Sequence, residues 1–252
     1  MKGLSLIFSL LIMMVSSLNA SEALPPLKIG VDGFSPPYVM QGANNQFFGF
    51  DISMMISICK ILKRDCQFEV LPFKELLDAV ATKKVDAAVS TLIITPERAK
   101  KVNFSLPYLV SHSRFLGLSN LAKQSFNLAN FDGQRIGIVD GTVFADEVMA
   151  LGIKNPQIMK FDRETDLIAA LQRKEIDIAV LENNSALYWQ AQTSGALSVL
   201  GNRHVYGFGL GIAMNPDNQT LLENINTALL QYQNSSDFQR DYHKYIVQFN
   251  MD

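Results

Sequence analysis

Cysteine, tryptophan and histidine are scarce in this chain: two, one and three among 252 residues. The three histidines, His112, His204 and His243, lack the spacing of a metal site, and no serine sits in a nucleophile-elbow context. Gly207-Phe208-Gly209 is followed by neither a lysine-serine pair nor a helix start, so it is no phosphate loop. An excess of positive charge is missing too. Lys and Arg number 22 against 24 Asp and Glu, a balance that suggests neither a nucleic acid nor an anionic membrane as partner. After residue 20 no apolar run approaches the roughly 20 residues of a membrane-crossing helix, and no metal or cofactor is implied.

What is present begins with a targeting pattern. Lys2 supplies a positive start, Leu4 to Val15 an apolar run, and Leu18-Asn19-Ala20 a cleavage signal, so residues 1–20 read as a signal peptide and the mature chain starts near Ser21. No cysteine stands at that point to take a lipid anchor. Export allows Cys59 and Cys66 to pair. Seven residues of helix would hold them ~10.5 Å apart, beyond the roughly 7 Å that a disulfide spans, so pairing requires the helix to end between them. Lys63-Arg64-Asp65 suits such a stop; two free buried thiols are the alternative.

Elements alternate along the mature chain. Leu27–Asp32 reads as a strand, Asn44-Asn45-Gln46 as a hairpin-like turn, Phe50–Leu62 as a helix, and Gln67–Pro72, Phe73–Lys83 and Asp86–Thr91 as strand, helix and strand. The theme then returns, with Arg135–Asp140, Val143–Leu151, Gln157–Phe161, Asp162–Arg173 and Asp177–Leu181. Leu76, Ala79, Lys83, Asp86, Ala88 and Val89 recur 91 positions later as Leu167, Ala170, Lys174, Asp177, Ala179 and Val180. So long a period means two similar lobes rather than a solenoid. The pattern predicts an α/β fold with one lobe from 21–110 plus 207–252, a second from 113–203, and a two-strand hinge near 111–112 and 204–206. Two C-terminal helices, Asn218–Asn234 and Asp237–Ile246, close on the first lobe.

Asp86 to Arg98 is the richest stretch. A buried strand runs out at Ser90-Thr91, and a helix opens at Thr95-Pro96 with Arg98 one turn in. Open N–H groups, hydroxyls and a guanidinium converge there, as a carboxylate requires. At the 91-residue offset Thr91 corresponds to Glu182, so each lobe places a polar residue directly after a buried strand, where open α/β sheets bind ligands. If the sheet ends face each other, Thr91 and Arg98 meet Glu182 and the Gly141-Thr142 turn across a cleft. Asp51 reads as a helix N-cap and Trp189, spaced with Leu187 and Ala191, as core.

Gly49-Phe50-Asp51-Ile52, the seven-spaced cysteines, Lys84-Val85-Asp86-Ala87, Ile94-Thr95-Pro96-Glu97-Arg98, Phe104-Ser105-Leu106-Pro107-Tyr108 and Gly209-Leu210-Gly211-Ile212-Ala213 together resemble the polar amino-acid-binding proteins of bacterial ABC uptake systems, solute-binding protein family 3. The likeness is nearest to the arginine and lysine/arginine/ornithine binders, in which the short disulfide also appears. It implies a two-lobed periplasmic binding protein with mostly parallel sheets, acting in the periplasm as a monomer with an ABC permease as partner, and with no catalysis. Arg98 would pair with a ligand carboxylate, completed by backbone N–H groups around Leu92–Ile93 and Thr142–Val143. Thr91 and Glu182 would hold the α-ammonium, Phe73 would stack on the side chain with Phe34 or Tyr38 as a second ring, and Asp32 would meet the distal cation. Three positions depart from the family pattern: Glu182 replaces an aspartate, Ile93 a serine or threonine, and Ser35 a stacking tyrosine. The same fold also hosts cyclohexadienyl dehydratases, in which Glu182 would be the acid; a binder of neutral polar amino acids or a sensory protein are further alternatives.

Overall fold

The structure, a computed structural model, describes residues 24–249; the signal-peptide segment 1–20 lies outside them. Two five-stranded sheets form the two lobes. The first runs in the order Cys66–Val70, Leu27–Val31, Ala87–Ala88, Ala213–Met214, Asn103–Phe104, and the second Leu197–Val205, His112–Leu118, Ile178–Glu182, Arg135–Val139, Gln157–Phe161. Near-continuous apolar runs such as Ile136–Val139 and Ile178–Leu181 are buried in both faces of their sheet, as parallel strands covered by helices require.

The resemblance implied mostly parallel sheets; each is half antiparallel. Leu27–Val31 and Arg135–Val139 each have two parallel neighbours, whereas Ala213–Met214 and His112–Leu118 pair antiparallel on both sides. The chain leaves the first lobe and re-enters it through adjacent connections, 105–111 and 206–212, so the strands flanking them must run in opposite directions. Leu109 and Leu210 pair where these connections run side by side, and the Ser111 hydroxyl donates to Tyr206 O while accepting from Gly209 N–H at 3.2 Å. His112 pairs with Val205 and Ser113 with His204, so the ladder of the second sheet reaches further into 111–112 and 204–206 than the sequence suggested.

The internal repeat holds at the level of single atoms. Asp86 N–H donates to Lys28 O at 2.9 Å while its carboxylate accepts from Lys28 N–H at 2.9 Å. Asp177 does the same with Arg135, at 2.9 Å and 2.9 Å. The turn before each aspartate has its lysine in the left-handed region, Lys83 and Lys174 both at φ 61°.

The helix Phe50–Ile61 ends before Lys63, which takes φ 53°, and this stop lets Cys59 and Cys66 form a disulfide with Cα atoms 5.9 Å apart. The C-terminal helices Gln219–Gln233 and Ser236–Tyr245 pack on Phe50–Ile61, where Phe50 meets Tyr108, Phe238 and Tyr242 with ring centroids 6.2 to 6.4 Å apart. Two predicted elements are shorter than expected. The segment from Phe73 starts as a tight 3₁₀ turn and is α-helical only over Leu76–Ala81, and Asp86–Thr91 pairs only at Ala87–Ala88 because the chain bends away before Thr91, at φ 49°.

Candidate functional site

Thr91 and Asp32 follow neighbouring parallel strands of the first lobe, and Glu182 ends the corresponding strand of the second. Thr91 holds its left-handed conformation through a bond from its N–H to Asp51 Oδ2 at 3.0 Å. Asp51 is thus not the N-cap expected from sequence. Gly49 takes that position at φ 130°, where a Cβ would lie 2.2 Å from Tyr38 O, and Asp51 is turned inward with 0% exposure. Burial pushes its carboxyl up to about 7, against the bond from Thr91; the Tyr108 hydroxyl also faces it.

Asp32 is fixed within its own lobe, its Oδ1 accepting from Ser90 Oγ at 2.6 Å and its Oδ2 from Ser35 Oγ. Burial raises its pKa, with the two hydroxyls opposing the shift. Ser35 therefore orients a carboxylate where the family pattern has a ring. Glu182 caps the helix Asn183–Gln192, accepting from Asn184 N–H at 2.7 Å and Ser185 N–H at 3.3 Å. Burial pushes it to about 7, and the Tyr38 hydroxyl and the two N–H groups partly offset that.

The lobes meet over this acidic ground. Arg98, in the short helix Pro96–Ala99 capped by Thr95, donates through Nη1 to Ile93 O at 2.8 Å in its own lobe and through Nη2 to Gly141 O at 2.9 Å in the other. Its guanidinium lies 5.8 Å from the centre of the Phe73 ring, and burial pulls its pKa down to about 10. Lys74 reaches Asp162 at 2.8 Å and Asp140 at 3.5 Å, and Asn184 Nδ2 donates to the Tyr38 hydroxyl at 2.7 Å. Phe73 joins Leu71, Leu76 and Ala88 to Val139, Leu167 and Leu181 in one buried apolar cluster spanning both lobes.

Between the lobes remains an inner cavity of about 20 Å³, lined by Ser35, Phe73 and Thr91 from one side and Thr142, Glu164 and Glu182 from the other. That is room for about one water molecule, so anything larger enters only when the lobes part. Its lining follows the repeat: Phe73 and Thr91 map onto Glu164 and Glu182 at the 91-residue offset. An outer cavity of about 680 Å³ is lined by Asp32, Phe34, Phe73, Lys74, Asp162 and Arg163.

The predicted residues Asp32, Phe73, Thr91, Arg98, Thr142 and Glu182 are thus brought together. Leu92 and Ile93 are buried behind them, with Leu92 O accepting from Gly211 N–H at 3.0 Å. Thr142 directs its N–H, at 3.2 Å, and its hydroxyl, at 2.6 Å, to Val139 O, and Val143 is buried at the start of the helix Phe144–Ala150. Phe34 is partly buried and faces Trp189, ring centroids 6.1 Å apart. Trp189 is therefore not simple core: its Nε1–H donates to Glu164 Oε2 at 2.9 Å at the cleft wall. Glu164 was missed from sequence, although the offset from Phe73 points to it.

Among the described residues no helix is long and apolar enough to cross a membrane. The chain is 29% identical over 226 residues to ABC transporter arginine-binding protein 1 of Escherichia coli strain K12, covering 87% of this chain and 90% of that one. It is 30% identical over 215 residues to the arginine-binding periplasmic protein of Mannheimia haemolytica, covering 84% and 87%. A crystal structure of an arginine transport-system periplasmic binding protein from Legionella pneumophila superimposes with TM-score 0.82 at 30% identity, over 88% of this chain and all of that one. An ancestral arginine-binding protein bound to arginine gives TM-score 0.82 at 25% identity, over 89% and 99%. The pattern of the bacterial extracellular solute-binding proteins, family 3, matches residues 27–248. Fold, two-walled cleft and a match over nearly all the described residues agree: the chain belongs to the bacterial extracellular solute-binding proteins, family 3.

Proposed function

We propose that this protein captures an L-amino acid with a basic side chain, arginine first, in the periplasm and delivers it as a monomer to an ABC permease. The observation that carries this reading is the division of charge within the cleft. One half-buried guanidinium, Arg98, is bonded only to carbonyls, while Glu182 supplies a buried carboxyl on the facing wall and Asp32 a second, half-buried one. A zwitterion with a further cation complements that pattern. Its carboxylate replaces Gly141 O at Arg98, exchanging a neutral acceptor for a charged one, which forms the stronger bond. Its ammonium lies between Thr91 and Glu182, and its side chain passes Phe73 towards Asp32. Relatives named for arginine binding support the choice of ligand. Residues 1–20 direct export, and the crossings near 111–112 and 204–206 serve as the hinge. Closure gives each lobe half of the site, so the closed form is the one a permease reads.

Calorimetric titration with the common amino acids tests this. Tight 1:1 binding of arginine, with weak binding of glutamate and glutamine, is expected, and Asp32→Asn should weaken arginine and lysine while sparing neutral ligands. Preference for an acidic or neutral amino acid would sink the choice of ligand. A second reading, a prephenate- or arogenate-dehydratase-like enzyme, is favoured by the raised Glu182, since a carboxyl protonated near neutrality is what a general acid needs. Product formation on incubation with either compound would establish it.

A further inference from the structure

Glu164 is exposed by only 7% and stands in the wall of the inner cavity beside Glu182, facing Phe73 and Thr91 of the other lobe. A glutamate in the first turn of a helix, here Glu164–Gln172, is ordinarily explained by the helix dipole and points into water. This one is buried instead. Among the described residues it forms no ion pair; it accepts from Trp189 Nε1–H at 2.9 Å, and the Ser185 hydroxyl lies near it. Asp32 and Glu182 act on it as like charges and, after burial itself, raise its pKa further. Two buried carboxyl groups with a third, half-buried one near them are costly to ionise unless a cation compensates them.

The surroundings say which cation. Trp189 fixes the Glu164 carboxyl group by holding one oxygen, so that the group is oriented at the cavity wall, with the Ser185 hydroxyl beside it. The Trp189 ring lies against Phe34 at 55°, and Phe73 lines both the inner and the outer cavity, so the path from Glu164 to Asp32 runs along aromatic faces. A planar guanidinium stacks on such faces and carries five donors in a fork, enough to serve carboxylates on two different edges. A compact ammonium has three donors and no planar edge to share between them.

We propose that Glu164 is a second anchor for the distal cation of the ligand, acting with Asp32 from the opposite lobe, so that the site selects a guanidinium over a single ammonium. This rests on the cleft being an amino-acid site.

Glu164→Gln tests it, because the amide oxygen can still accept from Trp189 and the side chain keeps its length. Arginine, lysine and glutamine are titrated against wild type and variant, with melting temperatures confirming that both are folded. Arginine affinity is expected to fall at least about tenfold, lysine less, and glutamine not at all. Trp189→Phe, which keeps the charge but releases its orientation, should narrow the ratio of arginine to lysine affinity. Unchanged arginine affinity in folded Glu164→Gln would overturn the proposal, as would an equal loss for all three ligands, which would mark Glu164 as a support of lobe closure. A wild-type protein that binds no amino acid would overturn the underlying reading and this one with it; arginine binding by wild type with no effect of Glu164→Gln overturns this one alone.

Discussion

Arg98 of the first lobe donates to the carbonyl of Gly141 in the second at 2.9 Å, so the group assigned to the ligand carboxylate also helps to hold the lobes together. Arg98→Ala removes both roles. Binding of every α-amino acid should fall by more than about a hundredfold, since a charge-assisted bond is lost and the carboxylate is left unpaired in a dry site. Titration with arginine and with glutamine checks this; loss confined to arginine would place the carboxylate elsewhere.

Gly141 sits at φ 84°, and a Cβ there would lie 2.5 Å from the Lys74 Cα of the opposite lobe. Gly141→Ala should therefore penalise closure far more than folding. The unliganded variant is expected to melt within a few degrees of wild type, as a left-handed alanine costs only about 1 kcal/mol. Small-angle scattering should show that saturating arginine no longer compacts it.

Burial raises the carboxyl of Glu182 from 4.5 to about 7 and that of Asp51 from 3.8 to about 7. In the unfolded chain both ionise near pH 4, whereas in the closed fold they keep their protons to near 7, so the folded form binds more protons in between. Their contribution to stability is thus fully present below about pH 4 and is lost as pH rises through about 7. Without ligand, the protein should melt at a higher temperature at pH 5 than at pH 8. A cationic ligand favours ionised Glu182, so arginine should bind more tightly at pH 8 and release protons, which calorimetry in buffers of different ionisation enthalpy detects.

The disulfide closes a short loop between the end of Phe50–Ile61 and the edge strand Cys66–Val70. Cys66→Ser should cost about 2–3 kcal/mol of stability. Chemical denaturation measures it, and arginine affinity should be preserved because the bridge lies away from the cleft.

The repeated letters Leu76/Leu167 and Asp86/Asp177 made two lobes legible in the sequence, because apolar periodicity and a recurring turn are local signals. Thr91, Arg98 and Glu182 were legible for a related reason: each follows a buried strand or opens a helix. Asp51 and Trp189 were not, since their partners, Thr91 N–H and the Glu164 carboxyl group, lie 40 and 25 residues away and no local pattern announces such a bond. The half-antiparallel sheets were not legible either. Their cause is the direction in which the chain crosses between lobes, which hydrophobic spacing does not record.

The pairing of His112 with Val205 has a consequence for protein engineering. The second lobe is a single uninterrupted segment whose entry and exit lie side by side, so it is a natural cassette. Exchanging that segment between relatives would transplant Glu182, Glu164 and Trp189 together, while Arg98, Phe73 and Asp32 stayed with the recipient. Chimaeras built at this seam would measure separately what each wall of the cleft contributes to the choice of ligand.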